Sequence, residues 1–186
     1  LWPVAGWLCL GGSAFGQDFN MTNAGSASTC SGNFYDSGGS GGNYAGNSFH
    51  TYTLSSDNGN RIKITKIQLT ISTSNGGHWL CVYDGPTTAY PLIGCYNTNN
   101  QIPGDTILSS GTSLTFTMNS TNTSVGTGAG FNFAISCGGP PLTEYTMATG
   151  TVNACSGSFF DPGGPSANYA ASTDITESFC APAGQM

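Results

Sequence analysis

Few side chains in this 186-residue sequence could carry out catalysis. Neither of its two histidines, His50 and His78, lies in a zinc-protease motif, and no glycine-rich segment carries the lysine of a phosphate-binding loop. Residues 38–42 match the G-x-S-x-G pattern of a serine nucleophile, but that pattern requires a preceding strand, a following helix and a downstream histidine and acid. Here it lies within a Gly/Ser-rich stretch that we interpret as a loop. The sequence therefore predicts no catalytic residue and no enzyme.

A few aromatic and polar side chains are better suited to binding than to catalysis. His78 and Trp79 could form a recognition pair, an imidazole and an indole beside the mouth of a turn. The alternative is that Trp79 belongs to the core and His78 is a solvated strand end. Tyr44 has similar alternatives, because aromatic side chains occur both in cores and on glycan-binding faces. These three residues are our first candidates for ligand binding.

The composition excludes several kinds of partner. Only 6% of the residues are charged and the formal net charge is -6. The three basic residues, Arg61, Lys63 and Lys66, cannot neutralise a nucleic-acid backbone. Glu, Lys and Arg are also too few for a long charged helix or a coiled coil. The 28 glycines, with many Ser, Thr and Asn residues, are instead typical of short strands joined by turns.

Residues 1–16 have the pattern of a secretory signal peptide. They are uncharged, and an apolar stretch is followed by small residues, with Gln17 as the expected mature start. The apolar run is too short to cross about 30 Å of hydrocarbon, so we expect no transmembrane span. The segment lacks an initiator methionine and a basic beginning, and we interpret it as N-terminally incomplete. These features predict a secreted or cell-surface protein.

The chain contains an internal repeat. The string CSGNFYDSGG, which begins at Cys30, returns as CSGSFFDPGG, which begins 125 residues later at Cys155. At the same offset, NYA at residues 43–45 returns at residues 168–170. So many identities at one offset indicate a duplicated module.

The repeat predicts the domain organisation. Residues 19–137 form one module, and residues 138–141, with the sequence GGPP, form a short stiff linker. Residues 142–186 are the start of a second, truncated module, because so short a segment cannot build an independent core. Further domains are expected downstream.

Strand-like alternation runs through the first module. Ile62 and Ile64 lie on one face of a predicted strand, but the alternation changes phase before Ile67. A β-bulge near Thr65 and Lys66 would restore a single buried face. Further strands, each separated by turn residues, are predicted at residues 51–55, 79–83, 113–118 and 131–137. Many short strands without a convincing helix indicate an all-β antiparallel sandwich or jelly roll.

Cysteines are also informative about the compartment. Beyond the predicted signal peptide they are Cys30, Cys81, Cys95, Cys137, Cys155 and Cys180. An even number in an exported chain suggests disulfide bonds. Zinc binding is the alternative, but no C-x-x-C pair occurs and the two histidines stand far apart.

The positions of the first four cysteines suggest how they pair. Cys81 lies on a predicted strand that ends in a turn, and Cys95 lies at the return. A bond between them would close a short loop, which is worth about 3 kcal/mol in the chain-entropy model. Cys30 and Cys137 bracket the module and could join its first strand to its last. The remaining two cysteines belong to the second module, whose connectivity need not be the same.

Three groups of motifs occur in order along the first module. They are CSG, DSGG and NY at its start, WLCVYDG followed by PLIGC in its middle, and LTFT followed by GFNF at its end. Together they resemble the CUB domain, an extracellular β-sandwich, and particularly its bacterial version in secreted Bacteroidetes proteins. The resemblance covers nearly all of residues 19–137, and residues 142–186 are similar to the first third of another copy. It implies a CUB-like antiparallel β-sandwich with protein or carbohydrate ligands at loop ends.

Many CUB domains bind calcium through three acids, and the resemblance locates the corresponding positions. The family's tyrosine matches Tyr44, but residues 71–77, where a glutamate belongs, contain no acid. Its aspartate before the aromatic strand matches His78, and its late aspartate falls on Asn119 or Asn122. Calcium requires several hard oxygen ligands. We therefore expect neither a metal ion nor another cofactor, with calcium as the alternative.

Asp84 is the nearest remaining carboxylate and is the fourth ligand-binding candidate. The alternative is that it only shapes the Asp-Gly turn that follows the aromatic strand.

Three functions are compatible with these features. The first is a non-catalytic extracellular array of binding or adhesion modules that recognise protein or carbohydrate ligands. The second is the accessory CUB region of a larger secreted hydrolase, for example a peptidase, whose catalytic domain would lie downstream. The third is a structural stalk or adhesin repeat. The expected partners are extracellular proteins or glycans, and not nucleic acid.

Overall fold

A computed structural model describes residues 17–73, 77–121, 128–154, 157–164 and 167–180. The predicted signal peptide lies outside these residues, as do Asn122 and Cys155. Within the described ranges, no helix is long and apolar enough to cross a membrane.

The first module consists of two five-stranded sheets. Sheet A contains, in spatial order, β1 (Asp18–Asn20), β3 (Ser31–Tyr35), β10 (Gly130–Cys137), β5 (Ile62–Thr70) and β8 (Thr106–Leu108). Sheet B contains β2 (Gly25–Ser28), β4 (Ser48–Ser55), β9 (Ser113–Ser120), β6 (Trp79–Tyr83) and β7 (Leu92–Tyr96). The pairs β1–β3 and β2–β4 are parallel, and the other neighbours are antiparallel. The all-β sandwich is therefore confirmed, and the four predicted strands listed by residue range correspond to β4, β6, β9 and β10.

One aromatic cluster joins the two sheets. Phe34 on sheet A is fully buried. Its ring centroid lies 5.0 Å from that of Tyr52 and 5.1 Å from that of Phe116, both on sheet B. A further 5.1 Å contact joins it to Phe131 on β10. Tilted and edge-to-face pairs at these distances stabilise the core beyond simple burial of area.

The predicted β-bulge is present in β5, just beyond its predicted position. Ile62 and Ile64 are buried, as expected. Lys66 and Gln68 face consecutive residues of β10, which leaves Ile67 as the extra residue. Its side chain is 59% exposed. The expectation that Ile67 joins the buried face is therefore wrong, because the bulge residue itself turns outward.

Asp36 connects the end of β3 to the start of β10. Its buried carboxylate accepts the N–H of Gly38 at 2.7 Å and that of Phe131 at 2.9 Å. Burial raises the pKa of Asp36 above its ordinary value, and the hydrogen bonds from the two N–H groups counter part of that rise. Gly130 has a φ of +73°, and a Cβ there would collide with the Asp36 carboxylate.

Two predicted disulfide bonds are confirmed. Cys81 on β6 faces Cys95 on β7, with their Cα atoms 3.9 Å apart. Cys30 and Cys137, separated by 107 residues, tie the chain before β3 to the end of β10. Closing a loop of that length is worth about 5 kcal/mol in the chain-entropy model. The side chain of Cys180 lies outside the described residues, so pairing in the second segment stays a prediction.

Part of the strand pairing of the first module recurs in the second segment. The second segment contains β11 (Glu144–Thr146), β12 (Gly150–Asn153), β13 (Ser158–Phe160) and β14 (Glu177–Cys180). The pairs β11–β13 and β12–β14 are parallel, as are β1–β3 and β2–β4. In β12–β14, Gly150 pairs with Glu177, and in β2–β4, Gly25 pairs with Tyr52. Each residue of the first pair lies 125 positions after its counterpart in the second, so these two strand pairs have the same register.

The chain between the two segments begins as an extension of sheet A. Gly138 donates its N–H to the carbonyl of Arg61 at 2.8 Å, and Arg61 donates to the carbonyl of Gly139 at 2.9 Å. These bonds continue the pairing of β10 with β5 by two residues.

Candidate binding site

Tyr44 and His78 form a buried pair at the start of β6. The Tyr44 hydroxyl accepts the N–H of Ser72 at 3.0 Å and lies 3.0 Å from Nδ1 of His78. The hydroxyl proton can therefore be donated to Nδ1, which in a neutral imidazole leaves the ring proton on Nε2. Both side chains are 1% exposed. Among the described residues, Nε2 of His78 has no hydrogen-bond partner.

The alternative in which Trp79 is core and His78 is solvated is wrong in both parts. His78 is buried, whereas Trp79 is 36% exposed. Leu80 and Val82 are fully buried, and because side chains alternate along a strand, Trp79 must face outward. His78 thus lies on the inner side of sheet B and Trp79 on its outer side.

Asp84 lies at the other end of β6 and is remote from this pair. Its carboxylate accepts the N–H of Ser110 at 2.8 Å, and its own N–H donates to the carbonyl of Pro91 at 2.9 Å. An extended strand of this length separates it from His78 by about 20 Å. Asp84 therefore anchors the β6–β7 turn to the loop before β9, and the structure does not bring it together with the other three candidates.

The outer face of sheet B carries a row of exposed side chains that the sequence did not reveal. Phe49 on β4 and Trp79 on β6 each lie directly opposite Asn119 on β9. Side chains at paired positions stand on the same face, and the two aromatic residues are two strand spacings, or about 10 Å, apart. Phe49 is 58% exposed, and Asn119 is exposed as well. We call Phe49, Asn119 and Trp79 the aromatic row.

Two clefts meet at Trp79. The first, of about 390 Å³, is bordered by the aromatic row, Thr117 and the Cys81–Cys95 disulfide. The second, of about 270 Å³, we call the amide cleft; it is lined by Thr73, His78, Trp79, Asn97, Asn99 and Asn100. None of the described lining residues of either cleft is Asp, Glu, Lys or Arg. The surface around the aromatic row therefore combines aromatic, amide and hydroxyl groups without a formal charge.

The wall of the amide cleft is held by its own hydrogen bonds. Asn97 is buried, and its Oδ1 accepts the N–H groups of Asn99 and Asn100, each at 3.0 Å. Nδ2 of Asn100 donates to the carbonyl of Cys95 at 2.6 Å. Residues 97–100 are thus fixed to the disulfide-linked strand β7, so the shape of the cleft does not depend on a mobile loop.

Two structures of MASP-1 are among the solved structures that resemble the chain. The CUB1-EGF-CUB2 region of rat MASP-1 matches with a TM-score of 0.50 and 15% sequence identity, over 61% of this chain and 42% of that one. The MASP-1 CUB2 domain bound to Ca²⁺ matches with a TM-score of 0.51 and 13% identity, over 62% of this chain and 100% of that one. The chain has a CUB-like fold. No protein-family model and no curated protein matches the sequence.

The CUB-like fold suggested by the sequence motifs is thus confirmed. This chain spans less than half of the rat MASP-1 structure, but it matches the whole length of the isolated CUB2 domain. The similarity therefore concerns one module.

The described residues at the family's calcium positions do not fit a calcium ion. Where the family has its aspartate before the aromatic strand, this chain has His78, whose imidazole is hydrogen-bonded to Tyr44. Where the family has its late aspartate, Asn119 stands exposed on the outer face of sheet B. Asn122 lies outside the described residues. Throughout the described part of the chain, no three His, Cys, Asp or Glu side chains lie close enough to hold a metal ion. Calcium prefers several carboxylate and carbonyl oxygens, and this donor set lacks the carboxylates.

The G-x-S-x-G segment of the module forms a loop. Its middle is a short 3-10 helix at Gly39–Gly41, and Ser40 is exposed. Ser40 borders a cleft in which the described residues include no histidine and no acid. The described lining of that cleft therefore offers Ser40 no general base, and the strand–turn–helix geometry of a nucleophile elbow is not formed.

Proposed function

We propose that the CUB-like module is a non-catalytic extracellular binding module whose ligand lies on the outer face of sheet B. The observation that carries the proposal is the aromatic row. Large aromatic side chains that stand together on a flat sheet face, away from the core, are typical of interaction sites. The candidates Tyr44 and His78 form a buried pair beside the start of β6, whereas Asp84 lies at the other end of that strand and binds Ser110.

Rigidity of this face supports a binding role. The Cys81–Cys95 disulfide lies next to the aromatic row and joins β6 to β7. Fixing side chains before a ligand arrives reduces the entropy that binding must overcome. Disulfides form in oxidising compartments, so the two bonds also favour a secreted or cell-surface location.

The accessory-region alternative differs only in what is joined to the module. As part of a larger secreted hydrolase, the module would present the same aromatic row and bind a ligand in the same place. Both versions place the ligand on sheet B.

We further propose that β11–β14 belong to a second unit of the same fold, joined through residues 138–141. Phe159 and Phe179 are 47% and 49% exposed. They lie 125 positions after Phe34 and Leu54, which are fully buried in the first module. In a complete second unit, further strands would cover these two rings as β9 and β10 cover their counterparts.

The binding role is tested on two arrays, one of glycans and one of purified extracellular proteins, probed with the full chain. We expect saturable binding to at least one member of one array, and its loss in the double variant Phe49→Ala/Trp79→Ala. The matched control is Tyr169→Ala, since Tyr169 is 64% exposed in the second segment. No saturable binding on either array, or equal binding by the double variant, would contradict the proposal.

A further inference from the structure

We infer that the aromatic row binds a neutral glycan, a chain of pyranose sugars that crosses β4, β9 and β6 and reaches into the amide cleft. This inference rests on the proposed function and names the chemical class of its ligand.

The geometry of the aromatic row suits stacked sugar rings. A pyranose presents a face of C–H groups that packs on an aromatic ring, and its rim presents hydroxyl groups. Phe49 and Trp79 stand about 10 Å apart across two strand spacings, which is close to the length of a disaccharide repeat. Asn119 lies between them, where its amide can both donate to and accept from the hydroxyl groups of the bridging sugar. The row therefore offers two stacking positions and one polar position at the spacing of successive sugars.

The amide cleft supplies polar contacts at the Trp79 end of the row. Its lining combines Thr73, three asparagine side chains and His78. Amides and sugar hydroxyls each donate and accept, so they are complementary in either orientation. His78 is almost completely buried, and its Nε2 is without a partner among the described residues. Buried polar groups in folded proteins normally have a partner, but Nε2 exposes almost no surface to the cleft, so the polar contacts offered to a sugar come from Thr73 and the asparagine residues.

The charge of the surface favours a neutral ligand over an acidic one. None of the described residues that line either cleft is Lys or Arg. Lys63 and Lys66 lie on β5, in the opposite sheet. Acidic polysaccharides and phosphate groups are normally held by Arg or Lys, which this face does not offer.

The experiment uses the full chain with Trp2→Phe and Trp7→Phe, so that Trp79 is its sole indole. The probes are cellohexaose, laminarihexaose, chitohexaose and, as an acidic comparison, hexagalacturonate. We expect at least one neutral hexasaccharide to change Trp79 fluorescence saturably, and calorimetry to give the same Kd. Phe49→Ala and Asn119→Ala should each weaken that binding at least tenfold, whereas Tyr169→Ala should leave it within twofold.

Two further measurements separate binding from folding and from the broader proposal. Phe49→Tyr retains a stacking ring and should retain binding, and the melting temperature of Phe49→Ala should match the parent, because the side chain is 58% exposed. The inference is overturned if no neutral hexasaccharide binds, if only hexagalacturonate binds, or if Asn119→Ala and Phe49→Ala bind like the parent. If a protein from the array binds the row while the sugars do not, the glycan inference falls and the binding role survives.

Discussion

Replacing Asp36 by asparagine should loosen the connection between β3 and β10 and lower the free energy of unfolding. The buried carboxylate accepts one N–H on each oxygen, from Gly38 at 2.7 Å and from Phe131 at 2.9 Å. Asparagine keeps one acceptor oxygen but turns the other position into a donor. One buried N–H then loses its partner, which costs about 1–3 kcal/mol.

The repeat supplies a matched control for this substitution. Asp161 accepts the N–H of Gly163 at 2.7 Å, the same local bond that Asp36 makes with Gly38. Asp161 is exposed, so water can replace a lost bond. Asp161→Asn should therefore change the free energy of unfolding by about 0.5 kcal/mol or less, as is usual for surface substitutions.

The pH dependence of the Asp36 effect has a definite sign. Burial raises the folded pKa of this carboxyl above the ordinary 3.8. The folded protein therefore holds the proton more tightly than the unfolded chain does. The stabilisation from this group is complete below pH 3.8 and is lost as the pH rises through the folded pKa. The difference in unfolding free energy between the parent and Asp36→Asn should thus grow as the pH is lowered from neutral.

Guanidinium denaturation followed by Trp79 fluorescence measures these differences, in the variant background in which Trp79 is the sole indole. The titration is repeated from neutral pH down to pH 3.8. An equal loss of stability in Asp36→Asn and Asp161→Asn would refute the idea that Asp36 connects the two strands. A difference that shrinks on acidification would refute the direction of the pKa shift.

Three further predictions concern the disulfide, calcium and the repeat. Replacing Cys81 and Cys95 together by serine should lower the free energy of unfolding by about 3 kcal/mol, and an unchanged denaturation midpoint would contradict this. Millimolar calcium should leave the melting temperature of the full chain unchanged, since the described residues contain no cluster of carboxylates; a clear rise would show that a site exists. Phe34→Ala should cost about 3–5 kcal/mol, but Phe159→Ala only about 1 kcal/mol or less. Equal costs by the same denaturation assay would mean that Phe159 is covered in solution.

The fold was accessible from sequence because its signals are local. Alternation of Ile62 and Ile64 and the turn residues between short apolar runs each act within one strand or turn. The Cys81–Cys95 pair spans a single turn, whereas Cys30 and Cys137, which are 107 residues apart, were paired only because they bracket the module. The phase change before Ile67 is also visible within a single strand, so the bulge could be predicted from the sequence. The parallel pairs β1–β3 and β2–β4 had no such signal, because they depend on register between strands that are not consecutive in the chain.

The binding face could not be found from sequence for a related reason. In WLCVY, the sequence of β6, every residue is apolar or aromatic, so alternation does not show which side is buried. The orientations of His78 and Trp79 were consequently open. Phe49 and Asn119 join Trp79 only through the register of β4, β9 and β6. A sheet face made by three strands becomes visible only when their pairing is known.

An NMR titration of the ¹⁵N-labelled full chain with the neutral hexasaccharides tests the central claim most directly. The account predicts saturable shifts of the backbone amides of Phe49, Trp79 and Asn119 and of the Trp79 indole N–H. Ile93 and Leu108 border a separate groove beside β7 and β8, and their amides should not move. Saturable shifts confined to that groove, or none on sheet B with any of the sugars, would contradict the assignment of a glycan to the aromatic row.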